Sequence, residues 1–179
     1  MKILIILLFS IIFISCTSTD KNILQNIKNW EYSRNPDTTY FSGLLFSSDN
    51  SLKVEIIQSI GRMGQEPFLP LLENLLKTKD PSIIKNTIFA IGQIGTPQCE
   101  KLLTKMFNQT KYEVYKKDIL LALGQCADQY GTSLLLKNLN SLPDSLKSLT
   151  IQNLAFIYKR NSKLKAIPDT IQNRRIVYR

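Results

Sequence analysis

The stretch Asp80-Pro81-Ser82-Ile83-Ile84-Lys85-Asn86-Thr87-Ile88-Phe89-Ala90-Ile91-Gly92-Gln93-Ile94-Gly95 carries both ends of a helix in its own residues. Asp80 is an N-cap residue and Pro81 suits the first helical position, where a missing N–H costs nothing. Ile83, Ile88, Ile91 and Ile94 recur at spacings of 5, 3 and 3, which puts them on one broad apolar face. Gly95 follows the last of them, a natural stop.

The same pattern returns along the chain. Ile60-Gly61-Arg62-Met63-Gly64, Ile91-Gly92-Gln93-Ile94-Gly95 and Leu123-Gly124-Gln125-Cys126-Ala127 have first glycines 31 and then 32 residues apart. A degenerate fourth copy, Leu154-Ala155-Phe156-Ile157, comes 31 residues later. Twelve residues before Gly61 stands Asp49, as Asp80 stands before Gly92. Four apolar columns match: Leu52, Ile83, Tyr115, Leu146; Ile57, Ile88, Leu120, Ile151; Ile60, Ile91, Leu123, Leu154; and Met63, Ile94, Cys126, Ile157.

Between these long helices lie shorter ones, expected over Phe68–Lys77, Gln98–Phe107 and Gly131–Leu139. Thr38–Phe46 is the expected partner of the first long helix, and Asn22–Ser33, with Ile23, Ile27 and Trp30 on one face, an N-terminal cap. A helical hairpin of about 31 residues cannot bury its own apolar face; stacking on neighbours does. The paired glycines read as close backbone contacts between stacked hairpins.

The composition removes several chemistries. With no histidine, the commonest general base and transition-metal ligand are missing. Cys16, Cys99 and Cys126 form no CxxC pair and no zinc spacing, and the acidic residues give no metal-binding or proton-sharing pattern. Cys99 and Cys126 either pair in an oxidising compartment or sit as small apolar core residues; their apolar helical context favours the second. The expectation is no enzyme, no cofactor and no metal.

The net charge is +9, yet Phe156–Arg179 alone has seven basic residues against Asp169. The remainder is nearly balanced, unlike a nucleic-acid binder with an extended basic face. Tyr158 and Tyr178 are the only aromatic residues from Ile157 on, too few for base stacking. This basic end is either a solvated terminus or a contact for anionic headgroups, and Pro168 argues against one continuous helix through it.

At the other end, Met1-Lys2 precedes an apolar run that stops at Ser15-Cys16 and gives way to Thr-Ser-Thr-Asp-Lys-Asn. This describes a secretory signal, too short to span a bilayer, which needs about 20 residues. Ile14-Ser15-Cys16 resembles the end of a bacterial lipobox, with Phe13 where leucine is usual. The resemblance implies cleavage before Cys16, a diacylglycerol on its sulfur and an acylated amine. The expected protein is thus lipid-anchored at the cell envelope, facing the periplasm or the exterior. Several acyl chains anchor stably where one does not.

The repeated hairpins resemble HEAT repeats, closest to the short bacterial kind of phycobilisome lyases. Lys53, Lys116 and Lys147 match that family's basic residue after the first apolar column; Ile84 does not, although Lys85 follows. The resemblance implies an all-α, right-handed α-solenoid of stacked antiparallel hairpins, about 3.5 repeats. The expected bounds are signal 1–15, lipidated linker 16–21, repeat domain 22–158 and basic tail 159–179. In such repeats the second helix of each hairpin lines the concave side. Residues flanking its core face are Glu55, Gln58 and Arg62; Asn86, Phe89 and Gln93; Asp118, Leu121 and Gln125; then Leu149, Gln152 and Phe156. The first nine form the candidate protein-binding surface. The function implied is a non-catalytic interaction or scaffold module. The resemblance also admits two others: an accessory or truncated N-terminal domain of a peptidyl-prolyl isomerase-type folding factor, and a bilin-lyase-like binder.

Overall fold

A computed structural model describes residues 22–33 and 37–160. The signal, the linker with Cys16 and the basic tail beyond Arg160 lie outside the described residues. Among those described there is helix and no strand, which gives the all-α class expected. A helix over residues 22–33 (α1) is followed by α2 (Thr38–Ser47), α3 (Asn50–Met63), α4 (Leu69–Leu75), α5 (Pro81–Ile94), α6 (Pro97–Phe107), α7 (Lys116–Cys126), α8 (Gln129–Asn138) and α9 (Asp144–Arg160). Successive helices pair as hairpins of the solenoid kind, the second of each pair longer except in α6 and α7, which are both 11 residues. The chain forms two compact units, Met1–Thr87 and Ile88–Arg179. None of the described helices is long and apolar enough to cross a membrane.

In the first unit the helix ends are closed locally. Asp37 Oδ1 accepts from Tyr40 N at 2.9 Å and Asp49 Oδ1 from Leu52 N at 2.8 Å. Asp80 Oδ1 accepts from Ser82 N at 2.8 Å and Ile83 N at 3.3 Å. Each of these bonds satisfies a donor that the helix itself leaves unpaired. At the other end Gly64 takes φ 64°, the left-handed conformation that glycine adopts without strain. Gly95 does the same for α5 at φ 72°. An aromatic cluster joins its largely aliphatic core: Phe41 meets Trp30, Tyr40 and Phe68 edge-on, and Trp30 stacks on Tyr40.

The span expected over Phe68–Lys77 comes out shorter, and the third long helix is shorter than the first. Over Glu66–Phe68 the chain is a 3-10 turn containing Pro67, and only Leu69–Leu75 is α-helical. In the third copy, Tyr112 stands where Asp49 and Asp80 cap the earlier helices. A tyrosine cannot cap, so Thr110–Tyr115 enters as a 3-10 helix and α7 is 11 residues against 14 in α3. Tyr112 and Tyr115 are buried there.

The second unit closes its ends from a distance. Glu100 on α6 is buried, and its Oε1 accepts from Asp128 N at 2.8 Å and Gly131 N at 2.6 Å, capping α8 from outside. Asn153 Nδ2 on α9 donates to the Leu120 carbonyl inside α7 at 2.6 Å. Arg160 donates to the Gly124 carbonyl at 3.2 Å and to those of Gln125 and Ala127, at the C-terminal end of α7. A cation there complements the helix dipole.

The paired glycines divide their work. A Cβ on Gly92 would come within 2.8 Å of Ala122 Cα, and one on Gly124 within 2.5 Å of Asn153 Oδ1. Gly92 therefore permits close backbone approach of α5 to α7, while Gly124 makes room for the Asn153 side chain of α9. The second glycine of a pair, Gly64 or Gly95, is instead a helix stop.

Candidate interaction surface

Six, nine and thirteen residues after the cap position, a helix of 3.6 residues per turn presents side chains beside its apolar stripe. In the first unit these positions are largely taken. Gln58 Nε2 donates to Asn86 Oδ1 at 2.9 Å, and Asn86 Nδ2 donates to the Ser82 carbonyl at 2.9 Å. Arg62 gives Nε and Nη2 to Glu31 Oε1 on α1, at 3.1 and 2.6 Å. Burial acts to raise the Glu31 carboxyl. The hydrogen bonds from Arg62, with the charges of Arg62 and Lys28, outweigh it and leave the group below its usual range. Glu55 is exposed.

In the second unit the equivalent positions are open. Phe89 and Leu121 are each 42 % exposed and Phe156 is 55 % exposed. Gln93 and Gln125 are exposed beside them and make no side-chain hydrogen bond among the described residues, while Asp118 is half-buried. A large apolar side chain left in water among polar ones is the informative departure from ordinary surface. Amide side chains offer both donors and an acceptor to an incoming backbone. Arg160 lies over the Phe156 ring, 5.8 Å from its centroid, and fixes that end of the row.

Chemistry has little purchase elsewhere. Cys99 and Cys126 are free and buried. Burial pushes the Cys126 thiol up to about 12, helped by nearby Cys99 and Glu100 and opposed by Arg160. Such a thiol is a poor nucleophile. Among the described residues no three of Cys, Asp and Glu gather as a metal-holding group. One open depression of about 470 Å³, lined by Thr38, Ser42, Pro67, Pro70 and Asn74, lies on α2 and α4 and includes none of the surface residues above.

Glu100 and Asn153 were not singled out as anchors from the sequence. The signal available was a polar residue inside a buried column: Glu100 falls with Leu69 and Thr132, Asn153 with Ser59, Ala90 and Ala122.

No curated protein matches the chain. The hairpins from α2 into α7, residues 40–124, match the family described as HEAT repeats, and that match supports reading the chain as a HEAT-repeat protein.

Proposed function

We propose that the chain is a non-catalytic protein–protein interaction module, held by lipid on Cys16 at a bacterial envelope and facing the periplasm or the exterior. HEAT repeats generally serve as helical scaffolds for other proteins, and the fold is of that kind. The observation that carries the reading is the exposure of Phe89 and Leu121 beside the unbonded amides of Gln93 and Gln125. Aromatic and aliphatic anchors within a polar surround are what protein interfaces are made of.

Affinity capture from solubilised envelopes tests the surface. The parent protein recovers one stoichiometric partner, and Phe89→Ala with Gln93→Ala loses it. Equal recovery by the double variant would move the surface elsewhere. The anchor is tested separately: Cys16→Ser shifts the protein from the membrane to the soluble fraction and ends incorporation of labelled palmitate.

A further inference from the structure

The last long helix is less covered than its predecessors. Ile57, Ile88 and Leu120 are 0 % exposed, whereas Ile151 in the same column of α9 is half-buried. Gly61, Gly92 and Gly124 are buried, whereas Ala155 in their column is exposed. On α8, Leu139 is half-buried where Leu45, Leu76 and Phe107 are buried. The end of the stack formed by α8 and α9 is an apolar face without a neighbour among the described residues.

The chain continues past this face, and its register identifies what covers it. The short helices repeat with spacings of 31, 31 and 32 residues. One column reads Phe41, Leu72, Leu103, Leu135, all at 0 % exposure; a further step of 32 lands on Ile167. A second reads Leu45, Leu76, Phe107, Leu139, and the same step lands on Ile171. A third, Thr38, Leu69, Glu100, Thr132, leads to Leu164. The outward column Thr39, Pro70, Lys101, Ser133 is exposed throughout and leads to Lys165. Apolar residues thus continue the buried columns at i, i+3 and i+7, and a charge continues the exposed one.

We propose that residues 164–171 cover the open face of α8 and α9, with Leu164, Ile167 and Ile171 toward it and Lys165 away from it. The basic segment is then partly structural, covering an apolar face and turning Lys165 outward. Pro168 lacks an N–H and cannot sit deep in a helix. The distance is short, because Arg160 is already fixed on the end of α7, three residues before Lys163.

Limited trypsin digestion of the full chain tests this without altering it. Lys163 and Lys165 lie in or beside the docked segment, and Arg174 and Arg175 beyond it. Cleavage after Lys163 and Lys165 is expected at least about tenfold slower than after Arg175, since a docked segment is cut only when it opens. Ile167→Asp with Ile171→Asp should bring the rates together while cleavage after Lys105, inside α6, stays slow and reports that the rest remains folded. Equal rates in the unaltered chain would overturn the proposal. So would protection that rises with protein concentration, which assigns the cover to a second copy. Protection that appears only with phosphatidylglycerol vesicles would overturn it too, in favour of a membrane surface.

Discussion

The two units of this chain repeat one hairpin and secure it in different ways. In the first, Asp37, Asp49 and Asp80 start the helices and Gly64 stops one of them, all with partners a few residues away. Bonds between its hairpins lie near the surface: Asn50 to Asp80 at 2.6 Å, Gln58 to Asn86 at 2.9 Å, Arg62 to Glu31 at 2.6 Å. In the second, where Gly95 is the one glycine stop among the described residues, Glu100 and Arg160 reach 28 to 36 residues along the chain to close the ends of α8 and α7, and Asn153 reaches 33 residues to a carbonyl inside α7. Helix termini must be satisfied somehow. Where nearby residues do not provide it, the next hairpin does, and polar atoms then enter the core.

The contrast can be broken most severely at Glu100. Glu100→Leu removes the acceptor from the buried N–H of Gly131 and the part-buried N–H of Asp128. It should cost about 3 kcal/mol in denaturant unfolding, since hydrogen bonds to charged groups contribute about 1.5–3 kcal/mol each. A loss under about 1 kcal/mol would mean that α8 is held by other means. Gly124→Ala comes next. Its Cβ meets Asn153, so a loss of about 2 kcal/mol is expected from overpacking. In an Asn153→Ala background that loss should shrink by more than half, and strict additivity would show that the two residues do not share the space.

Asp49→Ala removes one local cap and should cost about 1 kcal/mol, measured the same way. Smallest is Arg62→Ala, because the Arg62 side chain is 48 % exposed and Glu31 23 %. Its effect should be a few tenths of a kcal/mol and fade in salt. The pH dependence has a definite sign. The Glu31 pKa is lowered on folding, so its share of stability is present above the unfolded value of 4.5 and is lost as pH falls through the folded one. Arg62→Ala should therefore differ from the parent at pH 7 and converge with it in acid.

Period, columns and glycine stops were legible in the sequence because each rests on residue type at a fixed spacing. The third copy was less so. Its 3-10 turn follows from what Tyr112 cannot do, and only the missing Asp hinted at it. Of the candidate surface, Phe89, Leu121 and the glutamines were legible as an exposed row, since apolar residues beside the core stripe stand out. The engagement of Arg62 by Glu31 was hidden, because α1, although one repeat upstream, does not continue the apolar columns: Asn26 and Asn29 precede Ile57 and Ile60 by 31 residues. Glu100 was hidden for another reason: its partners are main-chain N–H groups, which every residue but proline possesses, so no sequence pattern marks them.

An anion enclosed at position 100 also bears on the order of assembly. Until Asp128 to Gly131 are in place, α6 holds a carboxylate that must remain hydrated, and the interior around it cannot dry. The second unit should consequently gain α6, α7 and α8 in one concerted transition, while hairpins that close their own ends can form one after another.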